Sequence, residues 1–108
     1  MFNWLFGRKK AISQSGAPWP FSSAPNEAVM TAREVAGGEV PVLLVVHDDD
    51  EIAWQFLTGE GLSEADAAIV SLRSLVELDP SLRELADLPV GWRAARANRE
   101  SPWQREPS

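Results

Sequence analysis

The stretch that decides the fold is Pro41-Val42-Leu43-Leu44-Val45-Val46-His47-Asp48-Asp49-Asp50-Glu51-Ile52-Ala53-Trp54-Gln55-Phe56-Leu57-Thr58. Val42 to Val46 is continuous, apolar and rich in β-branched residues, the pattern of a strand covered on both faces. Pro41 suits its first position, where no ladder donor is required. After a polar break at His47 to Glu51, Ile52 to Thr58 alternates and places Ile52, Trp54 and Phe56 on one face. Two strands joined by a short acidic connection make a hairpin. Upstream, Ala28 to Val35 also alternates, with Val29, Thr31, Arg33 and Val35 on one side, and Ala36-Gly37-Gly38-Glu39 reads as the turn that leads on. The expectation is a meander of three antiparallel strands.

Downstream of the Gly59 to Gly61 break, Ser63 opens a predicted helix with Asp66 as its capping-box-like partner. Ala65, Ala68, Ile69, Leu72, Leu75 and Val76 recur at steps of three and four and form one apolar stripe. Asp79-Pro80 stops that helix and caps a second, short one carrying Leu82, Leu85 and Leu88. Beyond Pro89, Val90 to Arg96 is expected as a fourth strand with Trp92 inward. The fold class is therefore α+β, an antiparallel meander sheet of three to four strands packed against two short helices.

At 108 residues, one domain is expected, running from 27 to 97. Residues 98–108 form a polar tail containing Trp103. Residues 1–26 comprise an aromatic and basic start (Phe2, Trp4, Leu5, Phe6, then Arg8, Lys9, Lys10) and a Pro/Ser-rich arm. Pro18, Pro20 and Pro25 keep that arm out of regular structure, and Trp19 and Phe21 are candidates to clip it to the core. The start has the reverse order of a secretory signal, apolar residues first and charge after, so no signal peptide is expected and the cytoplasm is the expected compartment. No apolar run reaches the roughly 20 residues of a membrane-spanning helix, and two aromatic turns bury too little to anchor the protein, so membrane contact is not expected. The chain has no Cys, which removes disulfides and thiolate metal sites.

The net charge of -6 is uneven. Residues 27–87 carry 14 acidic side chains against Arg33, Arg73 and Arg83. Such a body repels phosphate backbones and attracts basic proteins, so no nucleic-acid partner is expected. The acidic run Asp48, Asp49, Asp50, Glu51, with Trp54 beside it, is the candidate partner-binding element. As a metal site it lacks the spaced oxygens and central Gly of a Ca²⁺ loop, and no metal or cofactor is expected. Catalysis is not expected either. His47 is the single histidine, and no nucleophile motif or phosphate-cradling Gly loop accompanies it.

Taken together, Trp54-Gln55-Phe56-Leu57-Thr58-Gly59 after an acidic hairpin, the Leu/Glu/Asp-rich helical part, Gly91-Trp92-Arg93-Ala94 and Ser101-Pro102-Trp103 resemble a group of small bacterial domains classed with the immunity proteins of polymorphic toxin systems. The resemblance spans about residues 27–104, with Val29 to Val35 and Val42 to Val46 fitting the opening strands. It implies a non-catalytic binding protein that neutralises a toxin, and it supplies no catalytic residues. The alternative expectation is a structural protein that self-associates, as a homodimer, through a sheet edge or through the N-terminal aromatics.

Overall fold

The structure, a computed structural model, describes residues 18–108, and the expectations for residues 1–17 lie outside them. Among the described residues six strands build one sheet: β1 (Ala28–Ala32), β2 (Leu44–His47), β3 (Trp54–Leu57), β4 (Ala67–Ser71), β5 (Trp92–Ala95) and β6 (Gln104–Pro107), in the order β4-β1-β3-β2-β5-β6. The hairpin β2–β3 is antiparallel as expected, pairing Val45 with Phe56 and His47 with Trp54. β5 adds antiparallel to β2, and β6 to β5.

The α+β class holds, but the sheet is mixed and not a simple meander. β1 does not pair with β2. It lies parallel to β3, with Met30 level with Gln55 and Thr31 with Phe56. The reason is local. Residues predicted to extend the first strand, Arg33 to Val35, instead wind together with Ala36 into a short helix, α1 (Arg33–Ala36). Gly37 and Gly38 close it, Gly38 at φ +79°, and Glu39 and Val40 donate back to the Glu34 carbonyl. That compact corner turns the chain away from β1, and β3 takes the place beside it.

A second departure falls between Ser63 and Leu78. One continuous helix was expected; the chain forms a 3₁₀ turn (Glu64–Asp66), strand β4, and only then helix α2 (Leu72–Leu78). Ser63 still donates to Asp66, at 2.8 Å. Ser71, which ends β4, caps α2 by accepting from the Ser74 amide. Asp79 and Pro80 do what their types suggest: the Asp79 side chain accepts from Ser81 N–H and Pro80 opens a 3₁₀ helix (Pro80–Leu85).

Strand alternation sorts side chains onto two faces. One face gathers Val29, Thr31, Trp54, Phe56, Val45 and Ala94, all buried, under Leu72, Leu75, Val76, Leu82, Leu85 and Leu88 of the helical layer. Thr31, the buried hydroxyl of this layer, donates to the Phe56 carbonyl at 2.6 Å. The opposite face, with Met30, Gln55, Leu57, Val46 and Leu44, is half-buried.

The folded body is wider than residues 27–97. Phe21 is buried and meets Trp54 edge-on at 5.5 Å, and Trp19 packs on Phe21. Arg83 bonds the Pro18 carbonyl, and the Arg73 amide donates to Pro25. At the other end, the expected polar tail supplies β6, and Trp103 packs against the core.

Candidate functional site

The acidic loop is held from its base. Asp48 N–H donates to the Ala53 carbonyl at 2.8 Å, closing a four-residue loop of Asp49, Asp50, Glu51 and Ile52. Asp48 itself is half-buried, and its carboxylate accepts from Gln55 Nε2 at 3.2 Å. Asp49, Asp50 and Glu51 are exposed. Among the described residues no basic side chain pairs with any of these four carboxylates. Three like charges at a tip are tolerated because each remains in water, where their mutual repulsion is weak.

Trp54 does not join them. It is 2% exposed and stacks flat on the His47 ring, centroids 3.8 Å apart with planes 10° from parallel. Its indole N–H donates to Ser23 Oγ at 3.2 Å, toward the core side. A side chain so enclosed offers no contact surface, so the structure separates it from the acidic residues beside it in sequence. Its contribution is rigidity. His47 is held between Trp54 and the Leu88 carbonyl, to which its Nδ1–H donates at 2.6 Å, and its own carbonyl accepts from Gly91 N–H at 2.7 Å. The last residue of β2 is thereby fixed one position before Asp48.

Other polar groupings lie elsewhere. At the far end of the sheet, Arg33, Glu34, Glu39 and Asp66 line an open surface hollow of about 280 Å³. Arg33 is already engaged there by the Ala65 carbonyl at 2.8 Å. Among the described residues, no three His, Cys, Asp or Glu side chains are placed to hold a metal ion, the acidic loop included. Among the described residues the charges that pair are Arg93 with Glu106, Arg105 with Asp87 and, in the interior, Arg96 with Asp79. No described helix is long and apolar enough to cross a membrane. No family model, curated protein or solved structure matches the chain.

Sequence reasoning passed over one surface. Helical spacing places Ala68 and Ile69 on the inner stripe of the predicted helix, which hides Ile69. Residues 67–71 instead form strand β4 and leave Ile69 56% exposed at the sheet's margin. The adjacent β-branched pair Ile69-Val70, ahead of a Ser that can cap, was the available signal.

Proposed function

We propose that this protein is a non-catalytic binding module that offers the Asp48–Glu51 loop to a basic partner protein, in the manner of an immunity protein facing a toxin. In this reading it works in the cytoplasm. The observation that supports it most is the contrast between the loop's tip and its base. Asp49, Asp50 and Glu51 are exposed and unmatched by a described cation, whereas the loop is closed at Asp48–Ala53 and underpinned by the His47–Trp54 stack. A loop closed at its base has less conformational entropy to lose on docking than an open one. Its charge accelerates encounter with a basic surface, while affinity requires buried anchors on other parts of the interface.

The test is capture from the native host with the wild-type chain and with an Asp49→Asn, Asp50→Asn, Glu51→Gln variant, followed by association kinetics with the captured protein at low and high salt. A basic partner whose association slows in the variant, with the difference shrinking as salt rises, supports the reading. Equal rates for both chains at low salt would remove it.

A further inference from the structure

The two margins of the sheet are unlike. β6 is charged and ends in Pro107, and its Glu106 is tied to Arg93, features that discourage pairing with another strand. β4, Ala67-Ala68-Ile69-Val70-Ser71, carries no charge and no proline, and Ile69 stands out from it. An edge of that kind is a template for a further strand.

The direction of its backbone groups follows from the ladder. β4 runs antiparallel to β1 with Ala28 opposite Ser71 and Met30 opposite Ile69. Leu72 N–H donates to the Glu27 carbonyl at 2.9 Å, so Ala28–Ser71 is a non-hydrogen-bonded pair and Val29–Val70 a hydrogen-bonded one. Ala68 and Val70 therefore spend their backbone groups on β1, and those of Ala67, Ile69 and Ser71 point off the sheet. Two of these outward groups are already used at home. Ala67 N–H donates to the Glu64 carbonyl, and the Ser71 carbonyl accepts from Ser74 Oγ at 2.7 Å. What remains, without a partner among the described residues, is the Ala67 carbonyl, both groups of Ile69 and the Ser71 N–H.

We propose that β4 pairs with β4 of a second copy of the chain, antiparallel about a two-fold axis at Ile69, to make one continuous sheet across the dimer. In that register Ile69 faces its own counterpart and the two exchange both of their bonds. Ser71 N–H of each copy meets the Ala67 carbonyl of the other. The groups already used at home, Ala67 N–H and the Ser71 carbonyl, fall opposite each other and need nothing. The free groups are thus the complete set a two-fold requires, the self-complementarity expected of an isologous contact. Charge agrees: exposed Glu64 and Asp66 precede β4 and exposed Arg73 follows it, so antiparallel pairing sets each Arg73 near the other copy's carboxylates. This proposal uses no residue of the 48–51 loop and stands apart from the reading given above. Pairing through one five-residue strand covers little area, so the dimer is a weak one that forms with concentration.

Sedimentation equilibrium of the full chain over a wide concentration range tests it. The expected mass rises from 11.9 kDa toward twice that value. Ile69→Pro removes an outward N–H that β1 does not use, and Ile69→Lys adds an edge charge; each should weaken the dimer by about tenfold or more. Circular dichroism confirms that at least the Lys variant, altered at an exposed position, remains folded. Because the chain has no cysteine, Ile69→Cys should give a disulfide-linked dimer under mild oxidation, and Val90→Cys, also exposed, should not. A monomer at every concentration overturns the proposal. So does a dimer that both Ile69 variants leave intact, which would place the contact on another surface.

Discussion

Arg96 Nη2 lies 2.6 Å from Asp79 Oδ2, with both side chains almost wholly removed from solvent. The pair joins the end of β5 to the break between α2 and the following 3₁₀ helix. Arg96 leaves few donors idle: Nε bonds the Val42 carbonyl at 3.0 Å, Nη1 bonds Ser81 Oγ and the Arg99 carbonyl, and its guanidinium lies 4.1 Å from the centroid of Trp103. A buried charge so fully partnered is stable where it is and costly to orphan. Arg96→Ala should cost about 3–5 kcal/mol, since it strands Asp79 and frees the Val42 carbonyl. Urea unfolding of the two chains measures it; a loss no larger than that of an exposed ion pair would show the network to be slack.

The same pair sets an acid limit. Burial opposes ionisation of Asp79, but hydrogen bonds from Ser81 and Arg96 and the charge of Arg96 outweigh it, so the carboxyl titrates below its ordinary value. With a folded value beneath the unfolded one, the associated stability is complete above the unfolded carboxylate value, about 4, and fades as pH falls from there through the lowered folded value. Asp79→Asn should remove that component, giving a chain less stable at neutral pH whose stability declines less steeply below about pH 4. Melting temperatures across that interval, compared with wild type, provide the check; parallel profiles would contradict it.

A chain beginning at residue 27 should be severely weakened although it retains every strand. It lacks Phe21, 5% exposed against Trp54, the Ser23 hydroxyl that receives the Trp54 N–H, and the Pro25 carbonyl bonded by Arg73. Loss of a buried aromatic alone costs about 3–5 kcal/mol. Phe21→Ala in the full chain isolates that contribution. Thermal melts that overlay wild type would show the arm to be only laid on the surface.

Removal of the last stretch should matter as well. A chain ending at Ala97 loses β6 and Trp103, which covers the Arg96 guanidinium. Trp103→Ala alone should cost about 2 kcal/mol, from lost apolar cover and a cation–π contact partly shielded from water. The Arg96→Ala, Trp103→Ala double variant should lose less than the sum of the two, because each loss removes the other's partner. Additive losses would mean that the two side chains act independently.

These dependencies explain what could and could not be read in advance. β2 and β3 are legible, since the β-branched run Val42 to Val46 and the Trp54/Phe56 alternation favour an extended chain over a core, although β2 itself begins at Leu44. Asp79-Pro80 likewise marks its helix start through local chemistry that tertiary structure has no reason to override. Ala65 to Val76 is ambiguous: Ala68, Ile69 and Leu72 satisfy helical spacing, and Ala67–Ser71 is equally a five-residue strand. The strand forms because β1, paired on one side by β3, has backbone groups on its other side that need partners, and no local pattern reports that need. Gln104–Pro107 was unreadable for a related reason. All four residues are exposed, so no inward periodicity marks the strand. At the acidic loop, the exposure of Asp49 to Glu51 was legible from composition. The withdrawal of Trp54 was implied by its place two residues from Phe56, and its acidic neighbours in sequence masked that cue.

The loop itself makes a last prediction that separates binding from folding. Asp49, Asp50 and Glu51 accept no described hydrogen bond or ion pair, and they sit in a region with a large acidic excess. Neutralising them as Asn, Asn and Gln should leave the melting temperature unchanged or slightly higher, because removing like charges relieves repulsion without opening a contact. Trp54→Ala, one position past the loop closure, should do the reverse and cost about 3–5 kcal/mol through the cavity it leaves beside His47, Phe21 and Phe56. Calorimetry on both variants decides the matter. A clear drop in stability for the neutralised loop would mean that its carboxylates hold the fold together, which would undercut their assignment to a partner. A Trp54→Ala chain as stable as wild type would mean that the loop's base is not the rigid support described.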